Sequence, residues 1–222
     1  MRPEKHSPYF NLLDAFKEKH CPLCYLARKA VTRSLDSLLY EHVNDPGTRM
    51  TLRKSYGFCE KHYWQVVQFN DGFGTAILAK DLLDTIKNEW RENPKSLKKK
   101  FRLKQECLAC ETWSQTEKNY LELFLENLDD TSFLFDYGRS FGLCLAHFRK
   151  LLTKIEDETK RTKLLEIEIR KMESLIKELE EFTRKHDYRF SHEGFGEERD
   201  AWLRAVEFLK GRTDLLPKKQ RP

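Results

Sequence analysis

All six cysteines and two of the seven histidines of this chain stand in one pattern written twice. Cys21-Pro-Leu-Cys24 is followed by Cys59-Glu-Lys-His62, and Cys107-Leu-Ala-Cys110 by Cys144-Leu-Ala-His147, with 34 and 33 residues intervening. Thiolate and imidazole are the donors that zinc and iron prefer, and two residues between ligands let both side chains turn toward one point. Each half spells a Cys₃His set, and the CxxH pair is expected to close the shell that the CxxC pair of the same half opens. The approaches match as well: Ser55-Tyr56-Gly57-Phe58-Cys59 parallels Ser140-Phe141-Gly142-Leu143-Cys144. An internal duplication follows.

Three chemistries compete for these eight residues. Structural zinc, two ions in all, fits widely separated knuckles in a closed four-ligand shell. An iron–sulfur cluster is the alternative, although the dense cysteine run that often supplies such clusters is absent. Inert or redox-active CxxC pairs without metal come third, since a thioredoxin-like reading needs a βαβ context. Covalent haem attachment fails, because Tyr25 and Glu111 stand where CxxCH needs histidine. A closed shell has no position for water or substrate. The leading expectation is therefore a non-enzymatic scaffold or interaction protein, with another protein as partner and zinc fastening helix ends. An electron-transfer or redox-sensing protein is the alternative for iron.

The elements that must position these ligands read as helices. Alternating Val/Ile/Thr runs and Asn-Gly turns are missing, while apolar residues recur at helical spacing. Leu26, Ala30, Val31, Leu35, Leu38 and Leu39 form one stripe. Asp45-Pro46 predicts a capped helix start, and Gly57 a left-handed stop before Cys59. Helices are expected from about 74 to 90, from 107 to about 128, and from about 131 to 142. Leu165, Ile169, Met172, Ile176 and Leu179 form a heptad-like seam on a long packing helix. The fold class is all-α: two metal-stapled helical repeats packed together, with a C-terminal cap. The expected divisions are 1–95 for the first repeat, 96–104 for a basic linker, 105–184 for the second repeat with its long helix, and 185–222 for the last segment.

That last segment is the second place where chemistry can lie. His186, Asp187, Tyr188, Arg189, His192 and Glu193 crowd into eight residues, with Glu197, Glu198 and Asp200 close behind. They suit an open ligand site or an enzyme's proton-transfer groups. The plainer reading is an excursion pinned by Arg–carboxylate pairs, with Tyr188, Phe190 and Trp202 buried. The chain holds no P-loop, dinucleotide fingerprint or nucleophile elbow. It carries a net charge of +5, much of it between Arg91 and Lys104 and in Lys218-Lys219-Gln220-Arg221. Such basic stretches attract phosphate backbones only weakly here, because aromatics for stacking are scarce. No apolar run approaches the ~20 residues that span a bilayer, and no signal-peptide core follows Met1. A cytoplasmic, non-membrane protein is expected.

The combination of motifs resembles an uncharacterised prokaryotic family, a domain of unknown function. The residues that carry the likeness are Cys21–Cys24, Leu38–Arg49 (LLYEHVNDPGTR), Gly57–His62, Cys107–Cys110, Gly142–His147, Lys185–Glu193 (KHDYRFSHE) and Gly196–Trp202. The resemblance covers nearly the whole chain and implies no established activity. It raises the tail segment as a place of function.

Overall fold

A computed structural model describes residues 6–94 and 107–214. The expected basic linker, 96–104, and the basic cluster at 218–221 lie outside these residues. The fold is all-α, 77% helical with ten α-helices and no strand among the described residues. The helices are α1 (Ser7–Phe16), α2 (Pro22–Ser37), α3 (Pro46–Lys54), α4 (Glu60–Val67), α5 (Gly72–Glu92), α6 (Leu108–Glu126), α7 (Thr131–Arg139), α8 (Leu145–Leu152), α9 (Glu158–Lys185) and α10 (Ala201–Lys210). A π-helical turn, Leu38–His42, continues α2. Short 3₁₀ turns, Ser191–Glu193 and Glu197–Asp200, lie between α9 and α10.

Local sequence accounts for many of the boundaries. Asp45 accepts a hydrogen bond from the Thr48 N–H at 2.6 Å with Pro46 in the first turn, so α3 starts where the Asp-Pro pair predicts. Such a cap is worth about 1 kcal/mol. Asp71, Asp130 and Asp157 cap α5, α7 and α9 in the same way. The stop of α3 comes slightly earlier than expected. The helix ends at Lys54, and the left-handed conformation falls on both Tyr56 (φ 52°) and Gly57 (φ 89°). α7 ends at Arg139 rather than near Gly142, which leaves Ser140 to Cys144 as a non-helical approach to α8.

The chain forms two compact units, and they do not follow the sequence repeats. Among the described residues the first contains 6–26 together with 117–213; the second contains 27–94, 107–116 and 214. Two of the three boundaries between them fall inside helices, α2 and α6. The core of the first unit is aromatic. Phe124 lies 4.9 Å from Tyr137 and 5.1 Å from Phe133, ring centre to ring centre, and Phe16 meets all three at steep ring angles. Each such pair adds about 0.5–1.5 kcal/mol beyond the area it buries. The second unit is aliphatic, built on Val31, Leu35, Leu39, Leu52, Leu78 and Leu82.

The long helix α9 corrects the heptad-like reading. Its buried residues are Leu164, Ile167 and Glu168, whereas Leu165, Ile169 and Ile176 of the expected seam are exposed. Two charged residues on the inward stripe explain the difference. The Glu168 carboxylate accepts from Tyr137 Oη at 2.8 Å and from the Leu143 N–H at 2.7 Å, while Lys171 Nζ donates to the carbonyls of Tyr137, Gly138 and Ser140. A buried charge is tolerated when every polar atom finds a partner.

Candidate metal centres

The first ligand of every motif lies at a helix N-terminus. Cys59 and Cys144 are the N-cap residues of α4 and α8, and Cys21 and Cys107 directly precede α2 and α6. The partial positive charge of unpaired N–H groups there favours thiolate. Gly57 and Gly142, with φ of 89° and 94°, turn the chain sharply just before the third ligand of each motif. A side chain at Gly142 would strike Lys171 and Glu168, and one at Gly57 would strike Tyr63 and Leu82.

The eight ligands gather into two clusters, each with all four donor atoms within 4.8 Å of one another. Their pairing overturns the expectation of closure within each half. Cys21 and Cys24 meet Cys144 and His147, while Cys59 and His62 meet Cys107 and Cys110. Each centre thus takes CxxC from one repeat and CxxH from the other. The cause is core packing: Leu23 of the first knuckle and Leu143 and Phe148 beside the last belong to one hydrophobic core, and Phe58 and Ala109 belong to the other. Both clusters are compatible with metal ions.

In the first centre, His147 Nδ1 lies 3.3, 3.5 and 3.2 Å from the sulfurs of Cys21, Cys24 and Cys144, and the Cys24 and Cys144 sulfurs are 3.8 Å apart. All four residues are buried. The other imidazole nitrogen, Nε2, lies 2.7 Å from Glu117 Oε1, which also pairs with Lys150. Glu207 of α10 holds the first knuckle by accepting from the Cys21 N–H at 3.2 Å, with His20 Nδ1 2.9 Å away. Gly211, just beyond α10, lies so close that a Cβ there would stand 3.1 Å from Cys24 Sγ and 3.2 Å from Cys144 Sγ.

In the second centre, His62 Nδ1 lies 3.1, 3.2 and 3.4 Å from the sulfurs of Cys59, Cys107 and Cys110. The Cys59 and Cys110 sulfurs are 3.7 Å apart, and both residues are only partly buried. His62 Nε2 is buried without a hydrogen-bond partner among the described residues. The contrast with His147 is legible in the duplication. The residue 86 positions before Glu117, the offset between Cys21 and Cys107, is Val31, which cannot accept a hydrogen bond. Lys61 places its ammonium 4.9 Å from the Trp113 ring centre, and burial lowers its pKa against the pull of the nearby sulfurs.

Crowding of donors divides the protons unevenly. Hydrogen bonds from Cys21 and Cys24 hold the Cys144 thiol far below its ordinary value, while burial pushes Cys21 well above it. Burial opposes a charge on His147, yet Cys144, Cys24 and Glu117 together raise it to about 11. In the second centre burial works against ionisation of Cys107, but His62 and its other neighbours bring it to about 6; burial and Cys107 push Cys110 up. A cation bound by either set of donors would displace these protons.

The tail residues are brought together differently. Asp187 pairs with Arg189 at 2.5 Å, Glu193 pairs with Arg184, and Lys185 reaches the buried Glu198 at 2.7 Å. His186 packs between Phe182 and Phe195, 4.3 and 5.1 Å from their ring centres, and its Nδ1 lies 2.8 Å from the Phe182 carbonyl oxygen. His192 is exposed, and so are Tyr188 and Trp202, at 85% and 54%. The expected burial of Tyr188 and Trp202 in a pinned excursion is thus incorrect: Phe182, His186 and Phe195 stack together there instead. The pinning by charge pairs is present.

Glu117, Glu207, Glu168 and Gly211 surround the first centre without belonging to any ligand motif. Only Gly211, directly after an apolar helix, carries a sequence signal, that of a helix stop. The carboxylates sit among many others on charged helices and are not distinguished by spacing.

An all-helical protein with two Cys₃His centres is the class that this geometry defines. The chain belongs to the family described as DUF6062, a family of unknown function, whose model matches residues 8–215. It is 30% identical over 202 residues, 90% of this chain and 99% of the relative, to an uncharacterized 23.9 kDa protein in the xynA 3′ region of Caldicellulosiruptor sp. (strain Rt8B.4). No solved structure matches the chain. Among the described residues no helix is long and apolar enough to cross a membrane.

Proposed function

We propose that the chain is a non-enzymatic scaffold or interaction protein whose two Cys₃His centres each hold one structural zinc ion. The observation that carries this reading is the compactness of the donor sets. A tetrahedral zinc site with its usual bond lengths has sulfur–sulfur edges of about 3.8 Å and sulfur–nitrogen edges of about 3.5 Å. The Cys24–Cys144 and Cys59–Cys110 edges of 3.8 and 3.7 Å match the first, the Cys107–Cys110 edge of 3.2 Å is tighter, and sulfur–nitrogen edges of 3.1–3.5 Å approach the second. A cluster of several irons spreads its ligands over several metal atoms, so donors this close suit a single ion.

A structural rather than catalytic role is supported by closure. Four protein donors complete a tetrahedron, and burial of all four in the first centre, with Gly211 against two sulfurs, leaves little room for substrate. An interaction role is supported by α10, where Trp202, Leu203, Val206 and Leu209 are all exposed large apolar residues on a helix of ten. Contiguous exposed apolar surface is characteristic of partner-binding sites. We place the protein in the cytoplasm, where thiols stay reduced and available to metal.

Elemental analysis of protein purified without oxygen tests the reading. Two zinc per chain and a colourless solution are expected. Stoichiometric iron with broad visible absorbance would instead make the centres electron-transfer or redox-sensing sites.

A further inference from the structure

Away from both metal centres, the first unit holds a groove of about 670 Å³ walled by α7, α9 and α10. This volume falls inside the ~300–1,000 Å³ range of small-molecule sites. Its floor is apolar: Leu134, Ile167 and Phe208 are buried beneath it, and Phe135 stands exposed at its edge. Its rim is basic. Arg139, Lys163, Arg170, Lys171 and Arg204 line it, against Glu178 as the single carboxylate of the lining.

The state of those charges decides what the groove suits. Arg204 already holds Glu178 and Asp200, and Lys171 spends its ammonium on three backbone carbonyls. Among the described residues Arg139, Lys163 and Arg170 form no ion pair, and Arg139 makes its one contact by lying 5.7 Å from the Phe135 ring centre. Three cations without counter-charge thus surround an apolar floor. A purely apolar occupant would desolvate their surroundings without compensation, and a small inorganic anion would leave the floor wet. A molecule with an anionic head and an apolar body satisfies both.

We infer that this groove is a binding site for a small amphipathic anion, an organic phosphate or carboxylate with an alkyl or aromatic body. The head lies among Arg139, Lys163 and Arg170, where guanidinium groups can grip two oxygens at once. The body lies over Leu134, Ile167 and Phe208, with Phe135 closing on it. The site does not depend on which metal fills the Cys₃His centres.

Calorimetric titration of the purified full chain with hexyl phosphate and phenyl phosphate tests this, with inorganic phosphate and hexanol as controls. Saturable one-to-one binding of at least one ester, tenfold or more tighter than either control, is expected. The exposed-site variant Arg139→Ala/Arg170→Ala should weaken it at least tenfold with unchanged melting temperature and metal content, and Phe135→Ala should weaken it several-fold. Failure of both esters to bind overturns the inference. So does binding that inorganic phosphate or hexanol equals, or that survives loss of both arginines.

Discussion

Glu117 Oε1 and His147 Nε2 lie 2.7 Å apart, so the imidazole whose Nδ1 faces three sulfurs is held from behind by a carboxylate. This carboxylate–histidine arrangement fixes ring orientation and raises the basicity of the ligand nitrogen. Among the described residues, His62 of the second centre has no such partner. Glu117→Ala is expected to weaken zinc binding at the first centre about 10–100-fold and leave the second unchanged. Competition against a chromophoric chelator, read as two separate affinities, checks it; equal loss at both centres would count against the assignment.

Crossed pairing of the repeats has a sharp consequence for metal content. Cys24→Ser with Cys144→Ser damages one centre twice and should still leave one zinc per chain. Cys24→Ser with Cys59→Ser damages both centres and should leave little or none. Closure within each repeat would reverse the two outcomes. Metal stoichiometry of the two double variants separates them.

Unequal burial should order the release of metal. The second centre has two partly buried cysteines, whereas all four donors of the first are buried. Excess chelator is expected to remove zinc in two phases, the faster one from the second centre. A Cys59→Ser/Cys110→Ser variant should show the slow phase alone. If its single phase were the fast one, the order would be wrong.

Gly211 combines a glycine conformation with close approach. Its φ of 73° and ψ of 178° lie in a region essentially reserved for glycine, and an added Cβ would meet two ligand sulfurs at 3.1 and 3.2 Å. Gly211→Ala should destabilise the fold by about 1–3 kcal/mol and speed loss of zinc from the first centre specifically. Thermal melting and chelator kinetics measure the two effects; a variant as stable and slow as the parent would show that the contact does not matter.

Much of this protein was determined by sequence alone. Donor type, the twofold repeat and the glycines before each third ligand specified two Cys₃His sets, and apolar stripes at helical spacing specified the helices that carry them. These are local features, set by side-chain chemistry and by backbone geometry within a turn or two. Tertiary structure alone decided which CxxH closes which CxxC. The two CxxH motifs offer identical donors at identical helix starts, so ligand chemistry cannot choose between them; the choice falls to the cores that hold Leu23 with Phe148 and Phe58 with Ala109. The same cause turned α9 away from its most regular apolar seam. Glu168 and Lys171 point inward because Tyr137, the Leu143 N–H and three carbonyls at the end of α7 wait for them there. Partners from distant parts of the chain satisfy those charged groups, and spacing along one helix carries no record of them.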